Sequence, residues 1–543
     1  MSEAAKNVED TDRLGRWTSV GSKRQAWVLW GTASAFVLLL LFCFYPKAAV
    51  VMDEGRYLSA TAHFLSGKAF DRSSEAWFWK PSSDRVFVRT MFTAGPAFSA
   101  LLIPFVAAGW HSCFLLGTLV HVLGFGGMIY VLRRRGLSPL WALGYLLYPA
   151  AILYSRMILV DVPSAAVIVL LLVVLHWERP SYFAAGLVMG FALLLKLSNL
   201  PMVVTFALVT FVQDVAARRT GSGEGAGRWH WRWLWMGLGM LPGLLLFAAV
   251  NTVFFNGPLG NGYISVSMTG GFFRWQFLME HLPFYVACLM TLYPFMLASP
   301  AFLRGKYRWE MGLCCVAVLA FFSFYFYVDP GNTWYEFMVR GLRFHLSVLP
   351  FYILGYAYMI TWFMQRIKWR WLVSSGLATG VLLVGAGDAL ISFQHGRYAA
   401  REWERQTRLG TLLPQSGPVV AILLAQKYLN AANHPELQIF RLAPVGEMPY
   451  LVRELPLPTL LILVDPAGIR TEAFRASSGE DREEALKVAR KFYEIRQCER
   501  QVEGFDCWEL VRRLAPSKPI WRPLPLDSVQ FGGGNVLPSP GLN

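Results

Sequence analysis

Two adjacent carboxylates, Asp53 and Glu54, stand just past the first long apolar run of the chain, Ala26–Tyr45. A run of this length spans a bilayer as a helix. The acidic pair is therefore predicted where the membrane meets water. Carboxylates held at the low-dielectric edge of a membrane are costly and usually have a function, so this pair is the first candidate for chemistry.

Other ionisable residues follow later apolar runs and are predicted on the same side of the membrane. They are Arg56, Lys80, Arg85, Arg89, Arg156, Asp161, Lys196, Asp329, Arg340, Arg343 and His345. A guanidinium matches a phosphate bidentately, and a carboxylate can accept the proton of a reacting hydroxyl. The mixture indicates transfer from a lipid phosphate to a hydroxyl. If the carboxylate and the phosphate lie on opposite faces of a sugar, the transfer inverts the anomeric carbon.

The composition is that of a polytopic membrane protein, since 55% of the residues are hydrophobic and only 16% are charged. The first apolar run is too long for a cleaved signal peptide, and no small-x-small site follows it. The net charge of +15 lies in short basic clusters between apolar runs. This distribution follows the positive-inside rule and argues against a nucleic-acid partner.

About eleven apolar runs are candidate spans, and four of them are shorter than the roughly 20 residues expected of a spanning helix. The candidates are Ala26–Tyr45, Ser112–Leu132, Ser138–Tyr154, Val162–Trp177, Ser181–Lys196, Asn199–Val212, Leu234–Phe254, Pro283–Leu303, Met311–Val328, His345–Met364 and Trp371–Phe393. Met91–Ala108 is predicted to lie along the membrane surface, because every basic loop then falls on the side of the N-terminus. We expect a bacterial inner-membrane protein with a cytoplasmic N-terminus and an extracytoplasmic C-terminus.

The predicted fold class is an all-α, multi-pass membrane protein with a C-terminal extracytoplasmic α/β domain. Residues 1–25 form a cytoplasmic tail, and residues 26–393 form the transmembrane domain, with a large first external loop at 46–111. Residues 394–515 form the α/β domain, and residues 516–543 form a flexible tail rich in Pro and Gly.

The expected elements of the C-terminal domain follow from local patterns. The runs 419–424 and 460–464 are typical of buried strands, and Ser478–Phe492 has the charge pattern of a helix. The segments 493–499 and 505–511 are predicted to form a hairpin that brings Cys498 opposite Cys507. Asp10-Thr11-Asp12 matches a metal-binding DxD pattern, but it lacks any strand or phosphate loop around it.

Four ordered motifs bear a more specific resemblance. They are Asp53-Glu54-Gly55-Arg56-Tyr57, the segment from Arg89 to Pro96, the segment from Met157 to Pro163, and the segment from Arg343 to Pro350. Together they resemble the GT-C superfamily of polyprenyl-phosphate-sugar-dependent glycosyltransferases, which includes protein O-mannosyltransferases and lipid A aminoarabinose transferases. Two positions depart from that pattern: Gly95-Pro96 replaces a frequent Pro-Pro, and Phe344 replaces the usual Tyr.

This resemblance implies a role for each candidate residue. Asp53 is the expected general base or acceptor-orienting group, Glu54 assists it or binds sugar or metal, and Asp161 is a second acidic site. The remaining roles are donor-phosphate binding by Arg343, Arg89, Arg156 and Lys196, and acceptor or sugar binding by Tyr57, Tyr263 and His345. The partners are a polyprenyl-phosphate-linked sugar, membrane lipid and a glycan, lipid or protein acceptor. No tightly bound cofactor is expected, although Asp53, Glu54 and Asp161 could share a divalent metal ion.

Structural explanations stand beside these roles. Asp53 could simply pair with Arg56, Asp161 could cap the helix that contains Pro163, and Arg343 could be an interfacial anchor. Two other functions also remain open. A transporter or flippase of lipid or lipid-linked sugar would show inverted repeats and mid-span charges, neither of which is evident in the sequence. An inactive assembly factor with the same fold would differ from the enzyme only in activity.

Overall fold

The computed structural model describes most of the membrane domain and the strands of the C-terminal domain. The described residues are 22–67, 76–80, 85–89, 96–220, 231–255, 258, 273–325, 339–366, 370–422, 427–442, 457–464, 493–499 and 502–514, with six more between 482 and 490. The chain forms two compact units. The first unit contains Met1–Tyr45, Leu115–Leu245 and Phe272–His395, and the second contains Pro46–Phe114, Leu246–Gly271 and Gly396–Asn543.

The described α-helices make up most of the first unit and a smaller part of the second. In chain order they are α1 (Lys23–Cys43), α2 (Met52–Leu65), α3 (Pro96–Ala107), α4 (Phe114–Arg134), α5 (Leu143–Leu146), α6 (Pro149–Ser155), α7 (Asp161–Leu175), α8 (Tyr182–Leu195), α9 (Leu200–Thr220), α10 (Arg232–Phe255), α11 (Trp275–Thr291), α12 (Arg308–Ser323), α13 (Leu349–Arg366) and α14 (Arg370–Gly410). Short 3₁₀ segments lie at Trp110–Cys113, Pro139–Ala142, Leu197–Asn199, Met296–Phe302 and Leu342–Val348.

The protein is a multi-pass membrane protein, as the composition predicts. Within the described residues, six helical stretches are long and apolar enough to cross a membrane: Lys23–Cys43, Trp110–Arg134, Leu197–Ala217, Arg232–Thr252, Val339–Arg366 and Ser375–Gly410. A seventh span is formed if Trp275–Thr291 and Met296–Phe302, which meet at 81°, count as one. Helices α3, α7 and α8 are apolar but shorter. The predicted number of eleven therefore stays a prediction.

Two predicted spans are wrong as continuous helices: Pro283–Leu303 breaks at the 81° bend before Met296, and the second is Ser138–Tyr154. Ser138–Tyr154 is divided into a 3₁₀ turn at Pro139–Ala142, the single turn α5, and α6. The second break falls at Leu147 and Tyr148, just before Pro149. Proline cannot donate a backbone hydrogen bond and disfavours helical geometry in the residue before it. The chain therefore restarts as α6, with Pro149 in its first turn.

Close backbone contact between α8 and α10 shows why small residues recur in the apolar helices of the first unit. A Cβ added to Gly186 of α8 would lie 2.0 Å from the carbonyl oxygen of Met236 in α10. Membrane helices approach one another closely through such small residues, since no hydrophobic effect drives their association in lipid. Glycine at this position is thus a requirement of the helix packing that supports α8.

Among its described residues, the second unit has a pair of packed helices and two sheets. Rings of Tyr57 in α2 and Phe98 in α3 meet edge to face at 4.6 Å, and the Thr61 hydroxyl donates to the Ser99 carbonyl at 3.1 Å. Helix α3 covers most of the segment predicted as a surface helix, Met91–Ala108. An antiparallel hairpin of β1 (Ala76–Lys80) and β2 (Arg85–Arg89), which the sequence analysis did not predict, precedes it.

The part of the C-terminal sheet that the structure describes has five strands: β3 (Gly417–Ile422), β4 (Leu437–Leu442), β5 (Thr459–Val464), β6 (Tyr493–Gln497) and β7 (Phe505–Arg513). Their order is β4-β3-β5-β7-β6, in which β3 is parallel to β4 and β5 while β7 is antiparallel to β5 and β6. The two predicted strands and the hairpin are confirmed. Strand β4 was missed, and most of the predicted helix at 478–492 lies outside the described residues.

A disulfide joins Cys498 to Cys507 at the hairpin, with Cα atoms 5.5 Å apart. The predicted hairpin places these two cysteines opposite each other, and the pairing confirms that expectation. The Cys498 amide also donates to the Cys507 carbonyl at 3.1 Å. The disulfide therefore closes the end of the β6–β7 pair.

Helix α14 continues to Gly410, past residue 394 where the C-terminal domain was predicted to begin. Its final turns belong to the second unit, where Glu402 is 1% exposed. The Glu402 carboxylate contacts Lys427 Nζ at 2.5 Å, the Tyr428 hydroxyl at 2.5 Å and Arg405 Nη1 at 3.1 Å. A buried carboxylate needs such partners, so this network connects the helix to the chain between β3 and β4.

Candidate functional site

A buried cluster of three charged residues forms the centre of the first unit's candidate site. Asp161 accepts from Lys196 Nζ on Oδ1 at 2.6 Å and from Arg343 Nε on Oδ2 at 3.0 Å. The Asp161 side chain is inaccessible to solvent, whereas Lys196 and Arg343 retain 18% and 11% of their side-chain exposure. One carboxylate and two cations give the cluster a net charge of +1. Only the two cations are exposed, so an incoming group can reach the cluster only at Lys196 and Arg343.

Asp161 is the first residue of α7 rather than a side-chain cap of that helix. The cap position is Val160, and no side-chain capping bond forms there. The N-terminus of a helix stabilises an adjacent negative charge, so the helix and the two cations all favour an ionised Asp161. The capping explanation considered for Asp161 is therefore replaced by an ion-pairing role.

Lys196 reaches Asp161 because the turn after α8 is fixed by an amide. Asn199 Nδ2 donates to the Ala192 carbonyl at 2.8 Å and to the Ser164 hydroxyl of α7 at 3.3 Å. Asn199 is 1% exposed, so these bonds form where water does not compete. They tie the end of α8 to α7 and keep Lys196 beside the first turn of α7.

Arg343 lies in the 3₁₀ segment Leu342–Val348, against aromatic rings. Its guanidinium carbon is 5.6 Å from the ring centre of Tyr154 and 5.8 Å from that of Phe344. The Tyr154 hydroxyl donates to the Arg340 carbonyl at 3.3 Å, which holds this segment against α6. Tyr154 is not among the site residues predicted from the sequence. The only sequence feature that points to it is its position two residues before Arg156.

Phe344 is shared by both cations of the cluster. Lys196 Nζ lies 5.4 Å from its ring centre, and the ring also stacks on that of Phe322 with centroids 4.6 Å apart. Cations within about 6 Å of an aromatic centre are attracted by the ring quadrupole. The Phe344 position, treated above as a departure from the family pattern, thus contributes a ring that orients both Lys196 and Arg343.

The cluster is suited to an anion. A preorganised lysine and arginine with net positive charge in a largely desolvated site attract a phosphate strongly. The same donors do not suit a divalent cation, because both Asp161 oxygens already contact positive groups. Among the described residues, no three His, Cys, Asp or Glu side chains are placed to hold a metal ion. Metal binding by Asp53, Glu54 and Asp161 stays a prediction.

Two other predicted residues of the first unit lie near this cluster in sequence but are buried. Arg156 is 2% exposed and donates to backbone carbonyls, including that of Leu40 at 2.9 Å. His345 is 2% exposed, its ring lies 4.5 Å from that of Tyr285, and neither ring nitrogen has a hydrogen-bond partner among the described atoms. The phosphate role of Arg156 and the sugar role of His345 stay predictions.

The second unit contains the acidic pair on the first turns of α2. The Asp53 side chain is 42% exposed and lies 3.4 Å from Arg56 Nη1. An exposed pair at that distance contributes little, typically about 0–1 kcal/mol. Asp53 is thus accessible for chemistry, although it contacts Arg56 as one structural explanation predicts. Tyr57 is 6% exposed and packs on Phe98.

Glu54 behaves differently from its neighbour. It is fully buried, and Oε2 accepts from the backbone N–H groups of Val50 at 2.6 Å and Val51 at 3.0 Å. A carboxylate that reaches back to the amides before a helix satisfies donors that the helix itself cannot. Glu54 therefore fixes the start of α2, the turn from which Asp53 projects. Its catalytic role stays a prediction.

Two predicted site residues remain, Arg89 and Tyr263. Arg89 ends strand β2, and Tyr263 lies outside the described residues. Asp161, Lys196 and Arg343 are brought together within the first unit, and Asp53, Glu54 and Tyr57 lie on one helix of the second. The expectation that both groups line one pocket stays a prediction.

Comparison with solved structures shows which fold these elements build. ArnT from Cupriavidus metallidurans bound to undecaprenyl phosphate aligns with a TM-score of 0.52 and 15% identity, over 89% of this chain and 98% of that one. The apo form of the same protein aligns with a TM-score of 0.52 and 14% identity, over 90% and 99%. No family model matches the sequence, and no curated protein matches it. The predicted likeness to GT-C aminoarabinose transferases is confirmed for the fold.

Proposed function

We propose that this protein is a membrane glycosyltransferase that moves a sugar from a polyprenyl-phosphate donor to an acceptor hydroxyl. The observation that carries the proposal is the buried cluster of Asp161, Lys196 and Arg343, a preformed anion site in a fold shared with a protein that binds undecaprenyl phosphate. The acceptor hydroxyl belongs to a glycan, a lipid or a protein.

The donor phosphate binds to Lys196 and Arg343. Asp161 holds both cations and offsets part of their repulsion, so the site is ordered before the lipid arrives. Phosphate oxygens then replace solvent around two groups that retain 18% and 11% exposure. Charge-assisted bonds of this kind are among the stronger ones in proteins, and they also stabilise the charge that develops on the departing phosphate.

Asp53 accepts the proton of the acceptor hydroxyl. The acceptor oxygen forms a bond to the anomeric carbon, while the bond from that carbon to the phosphate oxygen breaks and its electrons remain on polyprenyl phosphate. With the carboxylate and phosphate on opposite faces of the sugar, the anomeric carbon inverts. The partial exposure of Asp53 supports this role, because the base must reach an incoming hydroxyl.

The reaction takes place on the extracytoplasmic side of a bacterial inner membrane. The Cys498–Cys507 disulfide supports this location, since disulfides persist in oxidising compartments and are rare in the cytosol. A lipid-linked donor suits that side, where nucleotide sugars are not supplied. The basic loops between the apolar helices then face the cytoplasm.

Purified protein in lipid nanodiscs tests the proposal with a panel of polyprenyl-phosphate sugars and a radiolabelled sugar moiety. Wild-type protein is expected to release polyprenyl phosphate and label an acceptor. Asp53→Asn is expected to lower kcat about 10²–10⁴-fold with undecaprenyl-phosphate binding unchanged. Arg343→Gln is expected to weaken that binding.

Arg366→Gln is the matched control, because Arg366 is an exposed arginine that stacks on Trp362 outside the cluster. It should leave binding and turnover unchanged. Equal activity of Asp53→Asn and wild type would exclude the assigned mechanism. Movement of lipid-linked sugar across vesicles without any transfer would instead favour a flippase.

A further inference from the structure

Arg156 joins the C-terminal end of α1 to the interior of α14 through its guanidinium. It donates from Nη1 to the Leu40 carbonyl at 2.9 Å and from Nη2 to the Phe44 carbonyl, both at the C-terminal end of α1. Nη2 also contacts the Ser392 carbonyl of α14 at 3.5 Å. Carbonyls at the C-terminal end of a helix carry partial negative charge, so a buried guanidinium is stabilised beside the end of α1.

The backbone next to Arg156 is held by α4 as well. Thr118 donates its hydroxyl to the Ser155 carbonyl at 3.1 Å. A Cβ added to Gly117 would lie 2.5 Å from that same carbonyl oxygen, so only glycine permits this approach. The backbone that leads into the turn after α6 is therefore held both by α4 and by the bonds of Arg156.

The turn itself is short and buried. Met157, Ile158, Leu159 and Val160 are each at most 4% exposed. Arg156 begins this segment, and Asp161 follows directly after it with its bonds to Lys196 and Arg343. A displacement at one end of so short a buried segment moves the other end, because close-packed interiors transmit strain.

We propose that Arg156 is a positioning residue, whose bonds to the C-terminal end of α1 and to Ser392 within α14 fix the turn that presents Asp161 to the two phosphate-binding cations. The role of this turn in phosphate binding rests on the proposed function. The claim that Arg156 fixes the turn does not depend on it. Arg156 then acts through Asp161 and does not contact the lipid phosphate itself.

Two measurements on the full-length protein test this inference. The first is alkylation of Met157→Cys by a membrane-permeant maleimide, followed by mass spectrometry at that site. Adding Arg156→Gln should accelerate labelling about tenfold or more, because bonds to a charged group that hold the turn are lost. The control adds Arg232→Gln, which breaks a buried pair with Asp214 at 2.5 Å in the same unit, and should leave labelling unchanged. Unchanged labelling with Arg156→Gln would overturn the proposal.

The second measurement is a double-mutant cycle on the dissociation constant of undecaprenyl phosphate. Arg156→Gln should raise that constant about tenfold in the wild-type background and less than about twofold beside Asp161→Asn, since contacts in one network are not additive. Equal factors in both backgrounds would make Arg156 a direct phosphate ligand and overturn its positioning role. If wild-type protein binds no undecaprenyl phosphate, the proposed function fails, while the labelling result still decides whether Arg156 fixes the turn.

Discussion

The Nε of Arg343 donates to Oδ2 of Asp161 at 3.0 Å, across 182 residues of sequence. The contact joins the start of α7 to the 3₁₀ segment before α13. It turns two residues predicted for separate tasks into one unit, because the aspartate sets the position of the arginine. Asp161 is thus the counter-charge that holds Arg343, while its role as a second acidic site and the role of Arg343 as a phosphate ligand stay predictions.

Asp161→Asn should destabilise the protein and make its stability depend on a bound anion. Removing one partner of a buried ion pair typically costs about 3–5 kcal/mol, since the other charge is left uncompensated. Here two cations, Lys196 and Arg343, lose their carboxylate. We expect a lower unfolding temperature in detergent. Undecaprenyl phosphate should raise that temperature more in the variant than in wild type, because its phosphate replaces the missing charge.

Asp214→Asn is the matched control for this measurement. Asp214 is also fully buried and is paired to Arg232 at 2.5 Å, within the same unit. Its loss should lower the unfolding temperature without any added effect of undecaprenyl phosphate. Equal responses to the lipid in Asp161→Asn and wild-type protein would contradict an anion site at the cluster.

Phe344→Leu should weaken phosphate binding by a measurable but limited amount. The ring lies within 6 Å of both Lys196 and Arg343, and a cation–π contact contributes about 0.5–2 kcal/mol. A loss in that range raises the dissociation constant of undecaprenyl phosphate roughly 2–30-fold. Phe344→Tyr preserves the ring and should bind within about twofold of wild type. If both variants bind equally well, the ring does not orient the cations.

The cysteine pair gives a test of membrane sidedness in cells. An impermeant thiol reagent should fail to label Cys498 and Cys507 until a reductant is added, because they are joined in a disulfide. After reduction both should become labelled in intact spheroplasts if the C-terminal domain faces outward. Labelling that requires lysis of the spheroplast would place this domain in the cytoplasm.

The network around Glu402 predicts a pH dependence for the second unit. Burial raises the pKa of Tyr428 to about 12. Nearby Tyr428, Tyr398 and Glu402 outweigh burial and raise the pKa of Lys427 above its ordinary value. For both groups the protonated form is favoured in the folded protein. Their contribution to stability is therefore complete below about pH 10, the ordinary range, and is lost as the pH rises through the folded values.

Tyrosinate absorbance in the near ultraviolet measures this ionisation. The difference between wild type and Tyr428→Phe should show a tyrosine that titrates near pH 12 rather than near its ordinary pKa of about 10. Tyr428→Phe should also lower stability by about 1–3 kcal/mol, because the buried Glu402 loses a hydrogen-bond donor. A difference spectrum centred near pH 10 would contradict the buried network.

Local patterns predicted much of the fold. Apolar runs indicated α1, α4, α9, α10 and α14, and the short apolar strands indicated β3 and β5. The segments 493–499 and 505–511 on either side of Glu503-Gly504 indicated the hairpin, which places Cys498 opposite Cys507. Each of these depends on residues near in sequence, whose hydrophobic period and turn chemistry suffice. Pro149 indicates a helix break for the same local reason, although the apolar run Ser138–Tyr154 taken alone predicts one span.

The sequence predicted which residues belong to the candidate site, but not which of them contact one another. Asp161, Lys196 and Arg343 were selected because charges at the ends of apolar runs are rare and costly. That reasoning could not reveal that one carboxylate receives both cations, or that Glu54 accepts from the amides of Val50 and Val51. The type of a residue thus indicated that it belongs to the candidate site, whereas its hydrogen-bond and ion-pair partners could not be predicted from the sequence.

The sequence by itself determined that this is a multi-pass membrane protein with costly charges beside its apolar helices, since hydrophobicity and charge are properties of each segment alone. Only the tertiary structure decided which charges meet. Lys196 and Arg343 reach Asp161 from 35 and 182 residues away, and Arg156 turns instead to the carbonyls that end α1. An ion pair depends on how distant helices pack, and no local pattern in the chain records that geometry.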